Sequence, residues 1–95
     1  MTIKTPKPTK TDLIRYILDY WDPCRKIETS GPMFYNYEAE IVSNSVRKNS
    51  KLPSITRVIT EVINEKLKTE GCDWTADEEN AKRVAESIIS AVFEN

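Results

Sequence analysis

Between Ser54 and Gly71 the apolar residues Ile55, Val58, Ile59, Val62, Ile63 and Leu67 recur at three- and four-residue spacing. That period gathers them on one face of a helix. Gly71 follows where a helix takes its left-handed stop. At about 25 cal/mol per Å² of apolar surface removed from water, so continuous a stripe must recruit packing partners. The rest of the chain has to supply them.

It supplies three further helical segments. Thr9 or Thr11 can cap the first, Asp12 suits its first turn, and Leu13, Ile14, Ile17, Leu18 and Trp21 form its apolar face. Asp22-Pro23 ends it, because the residue before a proline is pushed out of the helical region. The second is expected to start with Asn36 as its N-cap, with Tyr37, Ile41, Val42, Ser45 and Val46 inward and Asn49-Ser50 and Pro53 closing it. The organising helix then begins at Pro53 or Ser54, with Lys66 on its apolar side but near enough its end to reach water. After Gly71, the run Thr75-Ala76-Asp77-Glu78 reads as a capping box for a last helix with Ala81, Val84, Ala85, Ile88, Ile89 and Val92 inward. No strand-like alternation and no internal repeat competes.

Between the first two segments, residues 24–35 read as a long connection. Ser30-Gly31-Pro32 makes its turn, and Ile27, Met33 and Phe34 can fold back on the core. Residues 1–10, with Pro6, Pro8 and three lysines, read as a flexible tail. The expected fold is all-α: one domain over residues 11–95, a four-helix bundle with its third helix central and a long loop between helices one and two. Ninety-five residues suffice for one modest core.

The composition narrows function mainly by exclusion. The chain has no histidine, which removes the usual general base and the commonest metal ligand. Cys24 and Cys72 are far apart and form no CxxC pattern, so a zinc site is not expected and a reduced chain is. Two glycines cannot build a phosphate-binding loop. Neither an enzyme nor a cofactor is expected, although Asp19, Asp22, Glu38 and Glu40 are carboxylates that could converge in space. Carboxylates at helix ends are far more often caps than catalysts.

A net charge of −1 gives no support to direct nucleic-acid or membrane binding. Residues 1–11 contain no apolar run, so neither a signal peptide nor a membrane span is expected, and the expected location is the cytoplasm. Yet the charge is uneven. Residues 71–95 carry six acids against Lys82 and Arg83.

Two stretches suit a partner. In the first, Tyr20-Trp21-Asp22-Pro23 and Tyr35 to Glu40 place aromatics beside the long connection. Trp21 there reads as a core anchor, and the tyrosines as packing over the loop with their hydroxyls in water. The same aromatics also suit a binding surface. In the second, Glu70, Asp73, Asp77, Glu78 and Glu79 surround Trp74 with no base among them. This is either an acid-decorated helix start with Trp74 over the core edge, or a docking site in which acids steer a basic partner and the indole anchors it. The candidate partner-binding residues are Glu70, Asp73, Trp74, Asp77, Glu78 and Glu79, with Glu38 and Glu40.

The Trp21-Asp22-Pro23 stop after an Ile/Leu-rich helix, followed by Tyr35-x-Tyr37-Glu38-Ala39-Glu40-Ile41, resembles a family of small helical bacterial proteins, largely of unknown function, that carry a Trp-Asp-Pro motif. The likeness covers roughly residues 12–46, and this chain departs from it by a longer, less acidic Pro23–Tyr35 segment. In size and acidic character the chain is also similar to the immunity proteins of contact-dependent growth-inhibition systems. That resemblance implies a cytoplasmic inhibitor that binds a cognate protein toxin, in particular a basic nuclease domain. The other expectation is a non-enzymatic helical adaptor or regulator unrelated to toxins. A broad apolar face on a small domain also leaves a homodimer open.

Overall fold

The computed structural model describes residues 7–31, 33–72 and 74–93. Among these the chain is all helical, with α1 over Lys10–Trp21, α2 over Ile27–Ser30, α3 over Asn36–Ser45, α4 over Leu52–Thr69 and α5 over Glu78–Phe93. Helical structure and the four long segments match the expectation from the sequence. A fifth helix, α2, stands inside what reads as a long loop. Residues 1–6 of the expected tail lie outside the described residues, and α1 starts at Lys10, inside that tail's expected span.

The four long helices touch in a closed order, α1 on α3, α3 on α4, α4 on α5 and α5 on α1. The expectation of a central third helix is therefore corrected: α4 is one wall among four. Its inward face is Ile55, Thr56, Ile59, Ile63 and Leu67, while Val58 and Val62 are only half-buried because they turn toward the flanking grooves. Facing it are Ile14 and Leu18 of α1, Ala39 and Val42 of α3, and Ala81, Val84, Ala85 and Ile88 of α5. The small side chains of Ala39, Ala81 and Ala85 allow close approach of neighbouring backbones. The one buried hydroxyl of α4, that of Thr56, donates back to the Leu52 carbonyl at 2.8 Å and so is satisfied.

Helix ends explain how the walls are joined. Thr9 and Asp12 form a reciprocal capping box at the start of α1, with Thr9 Oγ1 accepting from the Asp12 amide at 3.1 Å and Asp12 accepting from the Thr9 amide at 3.0 Å. Beside it the Lys10 ammonium donates to the Val46 carbonyl and lies 5.7 Å from the centre of the Phe93 ring. One side chain thus ties the start of α1 to the ends of α3 and α5. The α3 boundaries shift from those expected: Tyr35 holds the cap position, Asn36 is already helical, and Val46 rather than Asn49-Ser50 ends the helix.

At the far end of α4, Gly71 has φ +74°, its N–H bonds the Lys68 carbonyl at 3.1 Å, and the Cys72 N–H bonds the Leu67 carbonyl at 2.9 Å. This is the paired closure of a Schellman stop, and it folds Cys72 back onto the core. The glycine stop expected there is present. The capping box expected at Thr75 and Glu78 is corrected: residues 74–77 are irregular, and Asp77 Oδ1 accepts from the Glu79 amide at 2.7 Å at the head of α5. Asp77 is a cap of equal quality one step from the helix, so the box is not needed.

Candidate protein-binding site

The turn after α1 sets the geometry around which the candidate site is built. Asp22 caps α1 in the left-handed region with φ +45°, and Arg25 follows with φ +54°. Two such residues in one turn are strained, so something must hold them. The Asp22 carboxylate does so. It accepts from the Tyr35 hydroxyl at 2.7 Å, the Lys26 amide at 2.9 Å and the Ile27 amide at 3.3 Å, the last two also satisfying the head of α2. The Tyr35 oxygen in turn accepts from the Cys24 amide at 2.8 Å.

Tyr35 is fully buried and meets Phe34 edge-on with ring centres 4.9 Å apart. The expectation that its hydroxyl reaches water is corrected; that of Tyr37, by contrast, stands on an exposed side chain. Partial burial pushes the Asp22 carboxyl up, but the bonds from Tyr35 and from the Lys26, Ile27 and Arg25 amides outweigh this and hold it below its ordinary value. Burial and the bond to Asp22 push the Tyr35 hydroxyl up, so it remains a donor. Asp22 therefore has a structural task and does not present a carboxylate for acid–base chemistry.

Held by this turn, the Pro23 carbonyl accepts from the Trp74 indole N–H at 3.0 Å. Trp74 is 47% exposed even so. It stands on a groove of about 830 Å³ whose other lining residues include Glu61, Asn64, Glu65, Lys68, Cys72 and Thr75. Asn64 accepts from the Ala76 amide and so fastens the segment after Trp74 to α4.

The other expected residues are dispersed over the fold. Glu70 is exposed and pairs with Lys66 at 3.7 Å, Glu79 pairs with Arg83 at 3.4 Å, and Asp77 caps α5. These three are at the surface near Trp74 in sequence, with their charges already engaged locally. Glu78 is exposed on a different groove, of about 1010 Å³, that it shares with Arg57, Glu61 and Lys82 between α4 and α5. Glu40 is exposed on α3. Glu38 is not a surface residue: it is 6% exposed, and its carboxylate lies 3.8 Å from the Lys66 ammonium, which in turn stands 4.1 Å from the centre of the Phe34 ring. Its place is in packing α3 against α4. Asp73 lies outside the described residues.

Glu61 and Glu65 also belong to the groove, and no local signal in the sequence marks them. They occupy the outer face of α4 one turn apart, a position that reads as ordinary solvated helix surface. Glu61 also borders the groove on the α3 side, with Tyr37, Ile41 and Val62. Among the described residues there is no group of three metal-ligating side chains, and no helix is long and apolar enough to cross a membrane. Comparison with protein-family models, with curated proteins and with solved structures finds no match to this chain.

Proposed function

We propose that this chain is a non-enzymatic protein-binding domain of the immunity type, acting in the cytoplasm. It would engage a basic toxin domain, in particular a nuclease, through Trp74 and the acids around it. The observation that carries this reading is Trp74: a large side chain, half exposed, yet fixed in place by its bond to the Pro23 carbonyl. A tryptophan immobilised before binding loses little further freedom when a partner covers it, and such residues dominate interface energetics. Glu61 and Glu65 in the same groove add negative charge to that of residues 70–79, favouring approach of a basic surface. Lys68 in the groove and Arg83 beside Glu79 temper that charge, which makes the indole the anchor and the acids the steering element.

On this reading the Trp-Asp-Pro stretch is the support of the site and not its contact surface. Inhibition is the direct test. The basic protein recovered with this chain from its native host is assayed for nuclease activity against increasing amounts of wild-type chain and of Trp74→Ala. Wild type should abolish activity near one-to-one, and loss of an anchor of this kind should raise the amount required by about tenfold or more. A recovered nuclease that stays fully active with excess wild-type chain contradicts the proposal.

A second reading, an adaptor unrelated to toxins, has its own observation. Tyr16 and Tyr20 are exposed one turn apart on α1, Tyr20 at 94%, and Met33 and Tyr37 are also exposed. Substituting Tyr16 and Tyr20 by Ser would abolish binding on that reading and leave it intact on the first.

A further inference from the structure

Cys24 and Cys72 are distant in sequence and are brought together by the fold. Cys24 lies in the turn after α1, its amide bonded to the buried Tyr35 hydroxyl. Cys72 is the residue that the Gly71 stop turns inward, its amide bonded to the Leu67 carbonyl. The bond between Trp74 and the Pro23 carbonyl fastens the two segments to each other on either side of the cysteines. Both side chains pack in or against the same apolar cluster, and both thiols are reduced.

Their access to solvent differs. Cys24 is 3% exposed, whereas Cys72 is half-buried and lines the groove beneath Trp74. Burial pushes the Cys24 thiol up to about 11, which keeps it protonated in the resting protein. A partly accessible thiol beside a buried second thiol is the arrangement in which an attacking and a resolving cysteine act in sequence.

We infer that Cys24 and Cys72 form a dithiol site that reacts with a low-molecular-weight disulfide and closes to an intramolecular disulfide. In the first step the Cys72 thiolate attacks one sulfur of R–S–S–R at the groove. The R–S–S–R bond breaks, a Cys72–S–S–R bond forms, and the departing thiolate takes up a proton from water. In the second step Cys24 gives its proton to water and its sulfur attacks the Cys72 sulfur, which releases the second R–S⁻. Two protein thiols are oxidised to one disulfide, and one small disulfide is reduced to two thiols. The bond joins the turn after α1 to the end of α4, on either side of the support of Trp74. This inference does not depend on what, if anything, the groove binds.

The test uses the full chain with oxidised glutathione, followed by alkylation of remaining thiols and intact-mass measurement. Wild type should pass through a single glutathione adduct on Cys72 to a monomer about 2 Da lighter than the reduced chain, with no alkylatable thiol. Dithiothreitol should reverse it. Because the crosslink closes a long loop, the Tm of the oxidised chain should rise by about 10 °C or more. Cys24→Ser should stop at the Cys72 adduct, and Cys72→Ser should leave Cys24 unreacted in the folded state. An adduct on wild-type Cys72 that never closes, two thiols inert toward glutathione disulfide, or a disulfide formed only between two chains would each overturn the inference.

Discussion

Asp22 stops α1 with its left-handed backbone, and its carboxylate heads α2 and fixes Tyr35, whose oxygen in turn satisfies the Cys24 amide. Tyr35→Phe keeps the ring and removes that oxygen, leaving a buried amide and a carboxylate oxygen short of a partner. Its expected cost is about 1–3 kcal/mol in urea unfolding. The pH dependence has a definite sign. The Asp22 carboxyl is held below its unfolded value near 3.8, so its stabilisation is complete above that value and is lost as pH falls through the lower folded one. Asp22→Asn should therefore be less stable than wild type at pH 7, and the gap between their Tm values should narrow below pH 4. A gap of constant size down to pH 2 would contradict this role. The sequence shows the Asp22-Pro23 stop plainly, because it is a local steric rule. It does not show Tyr35 as the partner of Asp22, since that contact spans an irregular segment with no periodicity to reveal it.

Among the elements, the long helices are legible because each has an apolar stripe and at least one end signal. Thr9 with Asp12 caps α1, Pro53 lies in the first turn of α4, and Gly71 closes it. The structure departs from the sequence pattern where signals compete or are too short. Helix α2 has four residues, too few to show a period, and exists because Asp22 bonds the amides at its head. At α5 two cap patterns overlap, Thr75 with Glu78 and Asp77 with the amides after it, and the chain uses the second. Asp77→Ala should therefore cost about 1 kcal/mol while Thr75→Ala stays near neutral, measured by thermal or urea unfolding of the two variants side by side. The reverse ranking would restore the capping box.

For the whole molecule, four helical walls leave the outer face of α4 as a ridge between grooves, and Glu61 borders all three of them. The candidate site is only partly legible in the sequence. Trp74 and the acids near it form a conspicuous local cluster, but folding assigns Asp77 to a cap, Glu70 and Glu79 to ion pairs, and Glu38 to the interior. It recruits Glu61 and Glu65 from a helix surface with no marking of its own. The approach of Cys72 to Cys24 is likewise a product of tertiary structure, set by the Gly71 stop and the Trp74 bond to Pro23. The proposed binding of a basic protein by Trp74, held by that bond and flanked by acids, is tested by quantitative mass spectrometry of proteins retained from the native host by tagged wild type and by tagged Trp74→Ala, each at low and high salt. One basic protein should be retained at stoichiometry on wild type, reduced at high salt and lost from Trp74→Ala. Recovery of the wild-type chain alone, or of the same proteins in the same amounts on both baits, would contradict it.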